Sequence, residues 1–295
     1  MKKTLFTGMA TAMVTPMTPT GVDYDTLAKF IEFQIEEGIN ALVACGTTGE
    51  SATLSQDERK EVIRFTIERV NGRVPVIAGV GTNNTEHVLD FAKSACDNGA
   101  DGLLVVTPYY NKATQGGLIK HFSMVADAAE KPIIMYNVPS RTGCNLQAST
   151  VATLADHPNI AGLKEASGNM SQVVDIIQRC GDKLDIYSGE DGLTVPMMSM
   201  GALGCISVLS NVVPRMAVEM TDAALNGDFK KAARLQCRTL PLIDALFSEV
   251  NPIPAKAAVA AMGFGQEYIR MPLTLMEDAT RANLMEQMRK LGVLK

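Results

Sequence analysis

The chain has 295 residues, of which 46% are hydrophobic and 20% are charged, and a chain of this length can bury a substantial core in one large α/β domain or two smaller ones. Its 27 basic and 32 acidic side chains give a formal net charge of −5, without a block rich in lysine or arginine, which argues against nucleic-acid binding and favours a small substrate. The sequence has no run of about 20 uninterrupted apolar residues, so a membrane-spanning helix is excluded.

The amino-terminal segment MKKTLFTGMATAMV, with two lysines followed by apolar residues, superficially resembles a secretory signal. Gly8 and several threonines interrupt its apolar part, so we interpret the segment as a first β-strand. The six cysteines form no C-x-x-C pair, and several lie in apolar runs. This distribution is typical of reduced cysteines in a cytoplasmic protein.

Eight short runs of apolar and β-branched residues recur along the chain. They begin at positions 8, 41, 74, 102, 133, 160, 184 and 204, and after the first run the starts lie 20 to 33 residues apart. This spacing is close to the roughly 30-residue length of a βα unit. Their continuous apolarity is typical of parallel strands that are buried on both faces. The runs are GMATAMV, ALVAC, VPVIAGV, GLLVV, IIMYNV, IAGLK, LDIYS and GCISV.

Helical patterns lie between these runs. Residues 25–38 place apolar side chains on one helical face and end at Gly38, a common C-terminal stop. Ser55 begins a capping-box pattern with Glu58, which marks the start of another helix. Eight strand–helix alternations favour an α/β fold, a closed (β/α)₈ TIM barrel, over a doubly wound open sheet.

The carboxyl-terminal part of the chain has a different pattern. Strand signals stop after about Pro214, and the segments that follow have helical patterns punctuated by prolines. We therefore predict that residues 1–224 form the barrel that carries the active site, and that residues 225–295 form an all-helical extension packed on it. No Gly/Ser-rich linker separates the two parts, so we expect a single structural unit.

Reactive groups of such barrels lie at the carboxyl ends of the strands, and four predicted strands end in polar segments. The most informative residue is Lys164, which ends the apolar run IAGLK. A free lysine has a pKa of about 10.4, and desolvation can lower it by several units, which activates an amine for imine formation. A solvated lysine at a strand end explains this feature alone equally well. The four segments are GTTGES (46–51), TPYYN (107–111), YNVPSRTG (136–143) and LKEASG (163–168).

Hydroxyl groups near Lys164 would transfer the protons that imine chemistry requires. Tyr136 ends the fifth predicted strand, beside the sixth strand that carries Lys164. Tyr110 and Thr47 or Thr48 would extend this relay. Taken singly, strand-end tyrosines often only cap a core, and threonines in a turn often only satisfy backbone groups.

Arg141 follows the fifth strand, where its planar guanidinium is suited to bind a substrate carboxylate through two hydrogen bonds. A solvated loop arginine is the alternative.

The histidines, His87, His121 and His157, lack a partner pattern and no H-E-x-x-H spacing occurs, so no metal site is predicted. GVGTNN at Gly79 lacks the third glycine of a dinucleotide fingerprint, and GTTGES lacks the ending of a P-loop. No cofactor is therefore expected.

Five motifs in this order, GTTGES, TPYYN, YNVPSRTG, GLKEASG and SGED, closely resemble the motif set of the dihydrodipicolinate synthase family, within the N-acetylneuraminate lyase superfamily of class I aldolases. The resemblance extends over essentially the whole chain and includes the segment from Ala12 to Pro16. It implies a lyase that condenses pyruvate with L-aspartate 4-semialdehyde to 4-hydroxy-tetrahydrodipicolinate, on the lysine and diaminopimelate pathway. The alternatives are another pyruvate-dependent aldolase, such as a sialate or keto-deoxy sugar acid lyase, and a non-catalytic barrel that binds a keto acid.

The resemblance also implies roles for individual residues. Lys164 would form the imine with pyruvate, Tyr136 would donate and accept protons, and Thr47 would complete the relay together with Tyr110. Tyr110 would act in the active site of the neighbouring subunit, across the tight dimer of a homotetramer built as a dimer of dimers. Arg141 would bind aspartate semialdehyde, and its presence argues against a sugar acid as the second substrate. The positions that hold pyruvate would be Thr48, Gly189 and Ile206.

Many members of this family are inhibited by lysine at the dimer interface. Regulated members usually have an acid at the position of His87 and a histidine or an acid at the position of Arg59. Imidazole in place of a carboxylate and an added guanidinium remove partners for the ammonium group of lysine and add like charge. We therefore expect weak or absent feedback by lysine. The matching positions are Ser51, Ala52, Gln56, Arg59, Asn83, His87 and Tyr109.

Overall fold

The computed structural model describes residue 2 and residues 4–295. Within these residues, eight parallel strands form a closed barrel, because the first strand pairs with both the eighth and the second. The closure confirms the predicted (β/α)₈ barrel and excludes the open sheet. Each of the eight predicted runs overlaps one barrel strand. Numbered β1 to β8 in chain order, the barrel strands are Gly8–Ala12, Ala41–Ala44, Val76–Gly79, Gly102–Val106, Ile133–Asn137, Ile160–Glu165, Asp185–Ser188 and Gly204–Ser207.

Helices fill the connections between the strands and form the carboxyl-terminal region. The predicted capping box is confirmed at the second helix: Ser55 Oγ accepts from the Glu58 N–H at 3.1 Å, and the Glu58 carboxylate accepts from the Ser55 N–H at 2.9 Å. A cap of this kind typically stabilises a helix by about 1 kcal/mol. The α-helices in the described residues, α1 to α12, are Tyr24–Glu36, Gln56–Val70, Thr85–Asp97, Gln115–Ala128, Pro139–Thr142, Ala148–Ala155, Met170–Cys180, Thr194–Ser199, Pro214–Leu225, Phe229–Leu246, Ile253–Ala261 and Asp278–Lys290.

One apolar cluster fills the interior of the barrel, and a larger one lies between the strands and the helices. In the interior, the Tyr187 hydroxyl donates to the Phe6 carbonyl at 2.8 Å, and the two rings stack with centroids 4.3 Å apart. Phe6 precedes β1, so this pair fills the end of the barrel at which the strands begin. The opposite end is left for the polar segments that follow the strands.

The carboxyl-terminal region is helical, as predicted, and it returns to the mouth of the barrel. Side chains of Asn251 and Lys256 contact the segment that follows β2. The predicted boundary between residues 224 and 225 falls at the end of α9, and the division into two parts stays a prediction. None of the described helices combines the length and the apolarity that crossing a membrane requires.

Candidate active site

A cleft of about 450 Å³ opens at the carboxyl ends of the barrel strands. Several strand-end segments meet there, as expected for parallel strands of one barrel. Two of the residues predicted to form the site do not line this cleft: Ile206 is buried within β8, and Tyr110 lies on the surface. The predicted residues that line it are Thr47, Thr48, Tyr136, Arg141, Lys164 and Gly189.

Lys164 lies in β6 with only 5% of its surface exposed. In the barrel register it is flanked by Tyr136 of β5 and Tyr187 of β7, and its Nζ lies 4.3 Å from the centroid of the Tyr136 ring. The ion pairs in the described residues do not include this amine. In its neutral form, a primary amine at this position can add to a carbonyl group in the cleft.

Gly189, directly after β7, leaves space for the lysine. A Cβ at this position would lie 2.7 Å from the Ala166 Cβ and 2.9 Å from the Lys164 Cε. Contacts this short do not occur between ordinary side chains, and the neighbouring alanine has no rotamer that relieves them. Only glycine therefore fits at this position, because the Ala166 and Lys164 side chains approach its backbone so closely.

Thr47 and Tyr136 border the same internal space. Thr47 begins a short 3₁₀ turn, Thr47–Gly49, which is separated from the end of β2 by Cys45 and Gly46, and Tyr136 is buried in β5. A small cavity of about 30 Å³ is lined by both residues and by Arg59. Two residues that border one cavity can exchange protons once their hydroxyl groups come within hydrogen-bond reach of each other.

Tyr110 differs from the other predicted residues. Its surface is 89% exposed, and its φ of 72° lies in the left-handed region, where a non-glycine residue typically stores about 1–3 kcal/mol of strain. The backbone N–H of Tyr110 donates to the Thr142 carbonyl at 3.4 Å. Neither the strain nor the exposed ring is explained by contacts within the described part of its own chain.

Glu165 orders the strands beneath the site and was not predicted from the sequence. It follows Lys164 in β6, so its side chain points to the other face of the barrel wall. Its carboxylate accepts from the Asn137 Nδ2 at 2.9 Å and from the Ser167 N–H at 2.7 Å. Asn137 follows Tyr136 in β5, so this contact fixes the two strands that carry Tyr136 and Lys164.

Asp191 belongs to the SGED motif, but no role was predicted for it. The side chain is 1% exposed and accepts hydrogen bonds from the Ser207 Oγ at 2.5 Å, the Val208 N–H at 2.9 Å and the Leu209 N–H at 3.0 Å. Burial raises the pKa of the Asp191 carboxyl, and these hydrogen bonds oppose the shift. Asp191 thereby ties the segment after β7 to the end of β8, which contains Ile206.

The carboxyl-terminal region supplies part of the cleft wall. Its residues were not predicted, because they follow no barrel strand. The Asn251 Nδ2 donates to the Thr48 Oγ1 at 3.0 Å, and the Arg141 Nη2 donates to the Asn251 carbonyl at 3.2 Å. This region therefore orients two of the predicted substrate-binding residues. The lining residues from it are Leu240, Ile243, Asp244, Phe247 and Asn251.

The model of the dihydrodipicolinate synthetase family matches residues 5–291. The chain belongs to this family. It is 48% identical over 286 residues to the 4-hydroxy-tetrahydrodipicolinate synthase of Geobacter sulfurreducens, which covers 97% of this chain and 99% of the relative. The predicted family and the predicted enzyme, a lyase, are thereby confirmed.

Two solved structures of the family have the same fold. A dihydrodipicolinate synthase described as the first monomeric variant has a TM-score of 0.96 and 40% identity, with 98% of each chain covered. The synthase from Cyanidioschyzon merolae, solved with lysine bound, has a TM-score of 0.95 and 39% identity, with 99% of this chain and 100% of that chain covered.

The positions predicted to match the effector site of the family fall into two groups. Arg59 is 4% exposed, and its Nε and Nη2 donate to the Gly79 carbonyl at 3.1 and 2.6 Å. Its guanidinium lies 4.4 Å from the centroid of the Phe91 ring, and burial lowers its pKa. Arg59 therefore lies beneath the other six predicted effector positions. These six residues are half-buried or exposed, and they are Ser51, Ala52, Gln56, Asn83, His87 and Tyr109.

Proposed function

We propose that this chain condenses pyruvate with L-aspartate 4-semialdehyde to 4-hydroxy-tetrahydrodipicolinate, on the pathway to diaminopimelate and lysine, through an imine between pyruvate and Lys164. The observation that carries the proposal is the buried Lys164 amine, 4.3 Å from the Tyr136 ring centroid in the cleft. Family membership and the activity of the Geobacter relative support the choice of the two substrates.

The chemistry proceeds in steps that this site can serve. The Lys164 amine attacks the C2 carbonyl carbon of pyruvate, and loss of water gives an iminium ion. The iminium draws electrons from C3, which loses a proton and, as an enamine carbon, attacks the aldehyde carbon of the second substrate. The amino group of that substrate then adds to C2 and displaces Lys164, which closes the ring. Tyr136 and Thr47 move the protons.

Borohydride reduction in the presence of pyruvate tests this proposal. The adduct is located by intact-mass analysis and peptide mapping, while consumption of aspartate semialdehyde is followed in parallel. A pyruvyl adduct on Lys164 together with consumption of the semialdehyde supports the synthase. An adduct without consumption would favour another pyruvate-dependent aldolase, and the absence of an adduct would favour a barrel that only binds a keto acid.

We also propose that Tyr110 completes the proton relay of a neighbouring subunit, within a homotetramer built as a dimer of dimers. The 89% exposure of Tyr110 and its φ of 72° support this role. Chains with Tyr110→Phe and chains with Lys164→Ala should each be nearly inactive but regain activity when mixed. With random pairing, about a quarter of the sites are complete, because each mixed dimer has one intact site. No recovery in oligomers that contain both chains, as verified by mass spectrometry, would contradict the proposal.

For the second substrate, we propose that Arg141 binds the carboxylate of aspartate semialdehyde. It lines the cleft, and the single hydrogen bond that its guanidinium makes in the described residues goes to the Asn251 carbonyl. Arg141→Ala should raise the KM for aspartate semialdehyde roughly 10–100-fold, the size expected for a charged hydrogen bond. Trapping of pyruvate on Lys164 should be unchanged. An unchanged KM for the semialdehyde, or an equal loss of pyruvate trapping, would exclude this role.

We further propose that lysine inhibits this enzyme weakly or not at all. Arg59 brings a guanidinium to the predicted effector positions, and in the described residues it has no carboxylate partner. The ammonium group of an incoming lysine would be repelled by this cation beneath the other positions, and His87 offers it no carboxylate. Turnover measured over a range of L-lysine concentrations tests the expectation. Inhibition at micromolar lysine would show it to be wrong.

A further inference from the structure

Glu50 closes the turn that carries Thr47 and Thr48. Its backbone N–H donates to the Thr47 carbonyl at 3.1 Å, and its φ of 53° lies in the left-handed region. Only 4% of Glu50 is exposed, which is rare for a glutamate unless a partner compensates its charge. A group that binds the Glu50 carboxylate therefore also fixes the end of the turn.

The partner of Glu50 is Lys256, which lies in α11 of the carboxyl-terminal region. The two side chains form an ion pair, and Lys256 is only 5% exposed. The backbone N–H of Arg270 donates to the second carboxylate oxygen of Glu50 at 3.2 Å. A buried ion pair is often no more stabilising than well-packed apolar residues of similar volume, but it can specify one arrangement of the elements it joins. Stability alone therefore does not account for this pair.

A second contact joins the same part of the chain to the same turn. Asn251, one residue before the proline that precedes α11, donates to the Thr48 Oγ1 at 3.0 Å. The turn is thus held at Thr48 by a hydrogen bond and at Glu50 by an ion pair, and both partners come from the carboxyl-terminal region. Thr47, at the other end of the turn, borders the small cavity next to Tyr136.

We infer that Lys256 is a positioning residue for the reaction: through Glu50, it fixes the turn that places Thr47 at the small cavity beside Tyr136. The inference rests on the proposed function, because it concerns proton transfer through Thr47. A shift of about 1 Å in a reacting group can lower turnover roughly hundredfold. Loss of Lys256 leaves Glu50 buried without its cation, and we expect the turn to shift in response.

The test compares three full-length variants, Lys256→Met, Thr47→Val and the double variant. We expect Lys256→Met to lower kcat by roughly 10–100-fold. The extent of borohydride-trapped pyruvate imine at equilibrium should stay close to that of the unaltered chain, because the Lys164 amine is intact. If Lys256 acts through Thr47, the double variant will be no slower than Thr47→Val alone. A residue that only supports the fold would instead multiply the two losses.

Two further variants keep the test decisive. Glu50→Gln combined with Lys256→Met leaves no uncompensated buried charge, so this protein should fold even if Lys256→Met alone does not, and its kcat should be similarly low. Arg281→Met is the control, because it breaks the Arg281–Glu267 ion pair of the carboxyl-terminal region, and the hydrogen bonds of the Arg281 side chain in the described residues go to Glu267 and Met276 and not to the turn. Its kcat should be unchanged.

Each outcome has one meaning. Folded Lys256 variants that turn over at the rate of the unaltered chain, or losses of Lys256→Met and Thr47→Val that multiply, would overturn the inference. Failure of the unaltered chain to trap pyruvate would overturn the proposed function instead. The two failures are therefore distinguishable in one set of assays.

Discussion

Lys164→Ala is expected to abolish turnover. Without the amine no imine forms, so the rate should fall on the order of 10⁴-fold or more, as it does when a covalent nucleophile is removed. The fold should be retained, because ion pairs in the described part of the chain do not depend on Lys164 and its loss leaves no buried charge without a partner. Turnover, borohydride trapping and thermal unfolding measure the three expectations.

Two controls accompany this variant. Lys112→Ala removes an exposed lysine from the segment between β4 and α4, and it should leave trapping and turnover unchanged. Lys164→Arg places a cationic guanidinium at the site, which cannot form an imine with pyruvate, so this variant should be as inactive as the alanine variant. Turnover of both substrates at the original rate by Lys164→Ala would refute the imine mechanism.

Tyr136→Phe is expected to have the second largest effect. The phenyl ring would still lie beside the Lys164 Nζ, but the hydroxyl that transfers protons would be gone. We expect kcat to fall roughly 10²–10⁴-fold, the usual contribution of general acid–base catalysis. Imine formation should become slower but reach the same extent, since the amine is unchanged. Stopped-flow turnover and a time course of borohydride trapping separate the rate from the extent.

Tyr187 provides a matched control for this variant. It flanks Lys164 on the opposite side from Tyr136, but its hydroxyl donates to the Phe6 carbonyl at 2.8 Å. Tyr187→Phe should therefore lower the free energy of unfolding by about 1 kcal/mol and leave kcat nearly unchanged. Equal losses of kcat in Tyr136→Phe and Tyr187→Phe would contradict a specific role of the Tyr136 hydroxyl in proton transfer.

Much of the fold could be predicted because the pattern that encodes it is local. A strand buried on both faces is apolar at every position, so each of the eight runs identifies a strand without knowledge of its neighbours. The cap at Ser55 depends on a residue three positions away, and it was predicted correctly. The rule that reactive groups follow barrel strands then pointed to Thr47, Tyr136 and Lys164, which line one cleft.

The contacts that could not be predicted join residues far apart in the chain. Glu165 meets Asn137 across two strands, and the Asp191 carboxylate meets two backbone N–H groups that any residue type would supply. Asn251 and Lys256 follow no strand, so the strand-end rule does not apply to them. A polar residue in a helical segment is normally solvated, and nothing in its local pattern shows that it is buried.

The sequence by itself determined the number of strands and the α/β class of the fold, and it singled out Lys164 as the candidate for imine formation, because burial patterns and strand ends can be read from consecutive residues. Only the tertiary structure decided that the barrel closes, that Tyr110 lies on the surface outside its own cleft and that Lys256 meets Glu50. These features depend on which distant groups come within a few ångströms of each other, and the packing of the whole chain sets those distances.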